Sequence, residues 1–156
     1  AARQQAASNR NNSPSSSSNS SSNSNKGNSS NKGTSNNAPS YVSGDAVSRA
    51  YSALGKPYVW GATGPNSFDC SGLVSYVLAQ AGISGVARSS SSQAYGGVAV
   101  SGGISAAQPG DVICYPGHVG IYIGGGQMIH ASVPGDYVKV SSVNIGMQII
   151  GVRRYW

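Results

Sequence analysis

The spacing of the apolar residues changes once along this chain, from the period of a helix to that of a strand. In residues 45–54 and 70–81 the apolar positions recur every three to four residues, and a glycine follows each segment. Ser43 or Asp45 is the candidate N-cap of the first of these helices, which is therefore expected to begin next to one of them. After Gly110 the period becomes two, which predicts five short strands: 112–115, 118–123, 127–132, 137–143 and 148–155. Helices that precede such strands predict an α+β fold, with the helices packed on one face of a five- to six-stranded, mainly antiparallel sheet.

The segment between the second helix and the first strand, residues 84–110, is rich in serine and glycine. It is long for a connection in a compact domain, and only residues 88–95 suggest a turn of helix. Loops of this length are usually functional or disordered. We expect this one to form a wall of a cleft.

Residues 1–40 differ in composition from the rest of the chain. They are dominated by Ser and Asn, contain no acidic residue and offer almost no apolar surface to offset the entropy cost of ordering. We therefore predict a disordered linker over residues 1–40 and a single domain over residues 41–156. The net charge of the whole chain is +6, but residues 41–156 hold six basic and four acidic residues, a net charge of +2. Without a cluster of basic residues on one face, no nucleic-acid partner is expected.

The chain contains no apolar run long enough to span a membrane, and no signal peptide begins at Ala1. The polar, alanine-rich start resembles the continuation of a longer protein. Our hypothesis is that the sequence is a mature or C-terminal piece, and that the region before it carries an export signal. No membrane span is expected, and the protein is expected to be a monomer.

A glycine-rich turn places Cys70 at the first position of the second predicted helix. The unpaired N–H groups and the positive end of the helix dipole favour an anion there, which would lower the pKa of the thiol from its usual value of about 8.5. This placement predicts a nucleophilic thiolate. The alternative is that Cys70 is a small buried apolar residue, as many free cysteines are.

Both histidines of the chain fall in the predicted sheet. In the second strand, alternation places His118 on the face opposite Val119 and Ile121. If residues 124–126 form a three-residue hairpin loop, Gly120 lies opposite His130, and the two histidines become diagonal neighbours on one face. A two-residue loop would turn one of them away.

A thiol, an imidazole base and a second group that orients the base are the parts that nucleophilic acyl transfer requires. Cys70, His118 and His130 could supply them. The competing interpretation is a zinc site made by these three residues and Cys114. No CxxC or HxxxH spacing supports that site, so no metal and no cofactor is expected.

Five linked motifs resemble those of one protein family, in order and in approximate spacing. They are PYVWG at 57–61, FDCSGL at 68–73, QPGD at 108–111, HVGIY at 118–122 and MIHA at 128–131. The chain is similar, from about residue 45 to residue 156, to the NlpC family of bacterial cell-wall cysteine peptidases. The resemblance implies a papain-like α+β fold and a secreted, cell-wall-associated hydrolase. Its substrates would be peptidoglycan stem peptides, cut between D-glutamate or D-isoglutamine and the following diamino acid.

The resemblance also implies roles for individual residues. Cys70 would be the nucleophile, His118 the general base and His130 the residue that orients it. The oxyanion would be bound by the backbone N–H of Cys70 and the hydroxyl of Tyr58.

Four further residues would line the substrate cleft: Asp69, Ser71, Arg88 and Trp60. Three of them have a plainer alternative. Asp69 is also an ordinary helix cap, Arg88 a solvated loop cation, and Trp60 an aromatic residue packed beside a turn.

Two positions depart from the family pattern. Ala62 stands where a second glycine is usual, and Cys114 stands where an aromatic or aliphatic residue is usual. A disulfide between Cys114 and Cys70 would contradict the interpretation as an enzyme. Two other functions remain open, a catalytically inactive wall-binding module and an amidase or acyltransferase on the same fold.

Overall fold

A computed structural model describes residues 39–156 of the chain. The helices are α1 (Pro39–Ser52), α2 (Cys70–Gln80) and the short α3 (Ser90–Gln93), and a 3-10 turn follows at Gly103–Ala106. The strands are β1 (Val98–Ala99), β2 (Val112–Tyr115), β3 (His118–Gly124), β4 (Gln127–His130), β5 (Lys139–Ser142) and β6 (Gly151–Arg154). Among these residues no helix is both long and apolar enough to cross a membrane.

Helix α1 begins earlier than the sequence predicts. Its first residue is Pro39 rather than one next to Ser43 or Asp45. Proline fits the first turn of a helix because the N–H that it lacks would have no partner there. Residues 1–38 lie outside the described residues, so the linker stays a prediction there, while residues 39 and 40 at its predicted end belong to α1.

The six strands form one antiparallel sheet in the order β1-β6-β2-β3-β4-β5. The α+β fold class and the five predicted strands are confirmed. Strand β1 was not predicted, because it has two residues within the serine- and glycine-rich segment and is defined only by its pairing with β6. The expected helical turn in that segment is α3.

Each face of the sheet carries a buried apolar cluster. Helices α1 and α2 cover the face that carries Val119 and Ile121, which is the face opposite His118. The opposite face holds a smaller apolar cluster that includes Ile113 and Tyr115, and the connections 100–107 and 145–149 pack against it. The histidine-bearing face is therefore partly enclosed by loops.

The hairpin between β3 and β4 differs from both predicted loops. Gly124 pairs with Gln127, so only two residues lie between the paired ends. An irregularity between Tyr122 and Gly124 then adds one residue to β3, and beyond it Tyr122 pairs with Met128. A bulge of this kind places two residues opposite one. The strand register is therefore the one that a three-residue loop would give, and both histidines stay on one face.

The QPGD motif makes a partly buried ion pair with the last strand of the sheet. Asp111 is fully buried and accepts two hydrogen bonds of 2.8 Å from the guanidinium of Arg154 in β6. Its carboxylate also accepts from the backbone N–H of Gln108, which closes the turn. This ion pair ties the start of β2 to the last strand.

Candidate active site

The N-terminus of α2 places Cys70 at the end of the sheet. Asp69 caps the helix, accepting from the backbone N–H of Gly72 at 2.6 Å and from that of Gly61 at 3.0 Å. A Cβ on Gly72 would collide with the backbone oxygen of Ala62, so the preceding turn packs directly on the first turn of the helix. The cap and the preceding turn together fix the backbone around Cys70, whose side chain is half-buried.

The pKa of the Cys70 thiol is raised rather than lowered. Burial is the main cause, and the nearby carboxylate of Asp69 adds to it. Backbone N–H groups, including that of Val119 at the start of β3, favour the thiolate but do not outweigh burial. The predicted acidic thiol is therefore wrong for the resting protein, and the thiol needs a base to ionise.

The two histidines form a direct hydrogen bond. Nε2 of His118 lies 2.8 Å from Nδ1 of His130, and the ring centroids are 5.0 Å apart. His118 is the first residue of β3. The backbone N–H of the next residue, Val119, interacts with the thiol of Cys70. Because its Nε2 faces His130, its Nδ1 is the nitrogen left for the groove. A Cβ on Gly120 would collide with the sulfur of Met128 at 2.6 Å and press on the Cβ of His130 at 3.2 Å, so glycine at this position leaves room for both side chains of β4.

Burial lowers the pKa of both histidines. The pKa of each lies at about 4, because burial disfavours the charged ring, and for His130 the neighbouring His118 adds to the effect. Both rings are therefore neutral at pH 7. A neutral imidazole beside a protonated thiol is a general base at rest.

Acidification from pH 7 to pH 5 is expected to destabilise the protein. An unfolded chain binds protons at its histidines near pH 6.5, whereas His118 and His130 bind them only near pH 4 when folded. Between these values the unfolded chain holds more protons, so the free energy of unfolding decreases as the pH is lowered, by about 4 kcal/mol between pH 7 and pH 5 for the two rings together. Thermal melts at the two pH values measure this loss.

The control for that measurement is the double variant His118→Gln/His130→Gln, which has no imidazole to protonate at either position. It should lose most of the pH dependence. An unchanged dependence in the double variant would contradict the assignment to these two rings.

A second polar network lies on the other side of Cys70. The guanidinium of Arg88 donates to both carboxylate oxygens of Asp69, at 3.0 and 2.7 Å, and to Oγ of Ser71 at 2.8 Å. Burial alone would raise the pKa of Asp69, but the hydrogen bonds from Arg88 and Gly72 hold it below its usual value. Asp69 is thus both a helix cap and the partner of Arg88, and Arg88 is not an isolated solvated cation.

Cys70 and His118 open onto one groove with a volume of about 690 Å³. Five other predicted site residues line it as well: Tyr58, Trp60, Asp69, Ser71 and Arg88. Trp60 is 83% exposed, so it is a wall of the groove rather than a packed core residue. Burial, together with the nearby Cys70 and Asp69, raises the pKa of Tyr58, which keeps its hydroxyl protonated. His130 lies behind His118 and is only 2% exposed.

Several residues near the site were not predicted. The groove is also lined by Ser89, Ser90, Gly117, Ser132, Val133 and Pro134. The buried Gln93 donates from Nε2 to the backbone oxygens of Ser71 and Ala87, which ties the long loop to α2. Ser141 lies 2.9 Å from Nε2 of His130. The length of the 84–110 segment pointed to a cleft wall, but no local pattern marked these individual side chains.

The alternative zinc site has no geometric support in the described part of the chain. Cys114 lies in the core between the sheet and the helices, is 0% exposed and forms no disulfide with Cys70. Within residues 39–156, no three His, Cys, Asp or Glu side chains converge as metal ligands would.

Residues 55–152 match the NlpC/P60 family. A protein named as a probable endopeptidase from Mycobacterium tuberculosis is 42% identical over 123 residues, covering 75% of this chain and 31% of that protein. The structure of the NlpC/p60 domain of the peptidoglycan hydrolase SagA is 35% identical, with a TM-score of 0.65, and the match covers 72% of this chain and 97% of that one. The peptidoglycan hydrolase RipB from Mycobacterium tuberculosis is 34% identical with a TM-score of 0.63, and the match covers 73% of this chain and 64% of that one. The chain thus spans between about a fifth and a half of the length of the curated relatives that it matches.

Proposed function

Because this chain belongs to the NlpC/P60 family, we propose that it is a cysteine endopeptidase that hydrolyses the stem peptides of peptidoglycan. The observation that carries the proposal is the arrangement of Cys70 at a helix N-terminus, in one groove with a histidine that is itself hydrogen-bonded to a second histidine. The names of the similar proteins, which include probable endopeptidases and peptidoglycan hydrolases, support the substrate class.

In the proposed reaction His118 takes the proton of the thiol at Nδ1, and the sulfur attacks the carbonyl carbon of the scissile amide. The charge on the carbonyl oxygen is met by the backbone N–H of Cys70 and the hydroxyl of Tyr58, each worth several kcal/mol in the transition state. The C–N bond breaks as His118 returns the proton to the leaving amine. Water then hydrolyses the thioester, with His118 again as base, which frees the carboxylic acid and the thiol.

The bond proposed to be cut joins D-glutamate or D-isoglutamine to the following diamino acid. The ion pair of Arg88 and Asp69, with Ser71, forms the polar wall of the groove, and Trp60 forms an apolar wall. A groove with one charged and one aromatic wall suits a peptide that carries both backbone amides and carboxylates. The proposed location is the cell wall, after export, and the proposed state is a monomer, since one chain supplies every residue invoked here.

The test is digestion of purified muropeptides, with the products identified by mass spectrometry. Endopeptidase activity predicts fragments that end in D-glutamate or D-isoglutamine. Fragments in which the whole stem is separated from the sugar would identify an amidase, and new amide bonds an acyltransferase. Binding to the wall without any cleavage would identify an inactive binding module and would reject the proposal.

Removing the guanidinium next to the thiol is expected to impair catalysis. In Arg88→Ala the buried carboxylate of Asp69 loses two hydrogen bonds and its counter-charge, and the negative charge left beside Cys70 raises the pKa of the thiol further. We expect kcat/KM for muropeptide cleavage to fall about tenfold, since lost hydrogen bonds to a charged group typically cost one to a few kcal/mol. Arg49→Ala, which removes an exposed arginine of α1, is the matched control. Equal rates for the two variants would exclude a role for Arg88 in the groove.

A further inference from the structure

The hydrogen-bond chain that begins at His118 does not end at His130. Nε2 of His130 lies 2.9 Å from Oγ of Ser141, which is half-buried on β5. In the pairing of β4 with β5, His130 is opposite Lys139, which makes Ser141 its diagonal neighbour on the same face. Neither the motifs nor the proposed mechanism uses this serine.

The direction of the chain follows from the chemistry of its far end. Oγ of Ser141 lies 3.1 Å from the backbone oxygen of Ser142, and a carbonyl oxygen can only accept. The single hydroxyl proton of Ser141 is donated there, so its oxygen accepts from Nε2–H of His130. Nδ1 of neutral His130 is then an acceptor, and it takes the hydrogen bond from Nε2–H of His118. The Nδ1 lone pair of His118 is thereby presented to the groove.

We propose that Ser141 is a positioning residue that fixes the tautomers of both histidines, so that His118 meets the thiol with a lone pair rather than with an N–H. The inference rests on the proposed function and extends it by one residue. In the opposite tautomer, His118 carries its proton on Nδ1 and cannot accept the proton of Cys70. When one histidine acts as the base and a second residue orients it, the tautomer of the first histidine decides whether it can accept the proton of the thiol.

The reason that Ser141 decides the tautomer lies in the burial of His130. Without the serine oxygen, Nε2–H of His130 would be a buried donor without an acceptor, which costs about 1–3 kcal/mol. Moving the proton to Nδ1 replaces this unpaired donor by an unpaired lone pair, and His130 then donates to Nε2 of His118. Loss of Ser141 therefore removes the preference for the active arrangement and allows the inactive one to be populated. The other titratable groups acting on His130 are His118 on β3, Lys139 on β5 and Asp136 in the preceding turn.

The test compares Ser141→Ala and Ser141→Thr with the unaltered full chain. Ser52→Ala is the matched control, since the hydroxyl of Ser52 also donates to a backbone oxygen, at 3.0 Å, but on α1. Ser141→Ala is expected to lower kcat about tenfold with KM changed less than about twofold, and Ser141→Thr to restore kcat. The ¹⁵N chemical shifts of the imidazole nitrogens read the tautomers directly. We expect protonated Nε2 on both rings in the unaltered chain and a gain of protonated Nδ1 in Ser141→Ala.

A substrate-free readout separates this inference from the proposed function. The second-order rate of Cys70 alkylation by iodoacetamide at pH 7 should fall in Ser141→Ala, return in Ser141→Thr and stay unchanged in Ser52→Ala. An unaltered chain that cleaves no muropeptide but shows these changes would reject the proposed function and support the role of Ser141. Protonated Nδ1 on His118 in the unaltered chain, or Ser141→Ala with unchanged tautomers and alkylation rate, would overturn that role. A thermal melt of Ser141→Ala that matches the unaltered chain excludes misfolding as the cause.

Discussion

Cys70→Ala abolishes muropeptide cleavage while the domain stays folded: this is the largest effect expected of any single substitution. Removal of a nucleophile whose attack is the first chemical step lowers kcat by at least about 10⁴-fold. The fold should survive because the side chain is half-buried, alanine favours the helix, and the cap by Asp69 involves the backbone of Gly72 rather than the thiol. Product formation by mass spectrometry and the melting temperature measure the two parts of the prediction.

The matched control is Cys114→Ala. The thiol of Cys114 is buried between the sheet and the helices, and burial raises its pKa to about 11. Its removal leaves a small cavity, so the melting temperature should fall while cleavage continues. Full activity in Cys70→Ala would remove the basis of the proposed function, and loss of activity in Cys114→Ala in a folded protein would show that the two thiols have been assigned the wrong roles.

The second large effect is expected from His118→Ala. Because burial raises the pKa of the Cys70 thiol, little thiolate is present at neutral pH without a base. Loss of the base should lower kcat/KM about 10²- to 10⁴-fold at pH 7. The residual activity should then rise with pH, since hydroxide replaces the imidazole in ionising the thiol. Rates measured between pH 6 and pH 10 test both statements.

His130→Ala provides the comparison for that experiment. His130 contacts the base and not the thiol, so its removal should lower kcat/KM less than the removal of His118 does. It removes the acceptor that orients His118 and leaves a cavity behind it. If His130→Ala lowers kcat/KM more than His118→Ala does, and both proteins are folded, the two histidines act in the reverse order.

The α+β architecture could be predicted from the sequence because both of its signals are local. The change of apolar period at Gly110 and the glycine stops of the helices depend only on neighbouring residues. The start of α1 and the strand β1 could not be placed in this way. Pro39 does not continue the apolar period, and β1 exists only because β6 pairs with it.

The loop between β3 and β4 shows a second limit. Three successive glycines permit both the two- and the three-residue turn, and the bulge that reconciles the turn with the register depends on packing across the sheet. The two histidines therefore share one face, as a three-residue loop would place them, although only two residues lie between the paired ends.

The residues of the site also divide into those that the sequence could predict and those that it could not. Residues next to Cys70 and within the strands could be proposed from motifs, since the turn and the alternation place them. Ser141 could not, because its position diagonal to His130 depends on the register between β4 and β5, and residues 133–136 between the two predicted strands carry no periodic signal. The raised pKa of the thiol also could not be predicted, because it results from burial that only the packed domain creates.

The chain has two cysteines, and they differ completely in access: Cys70 opens onto the groove, and Cys114 is sealed between two layers. A fluorescent maleimide should therefore label one cysteine per chain in the native protein and two per chain once the two layers separate. Labelling of Cys114 thus reports opening of the domain, and labelling of Cys70 in the native protein counts intact active sites without any substrate.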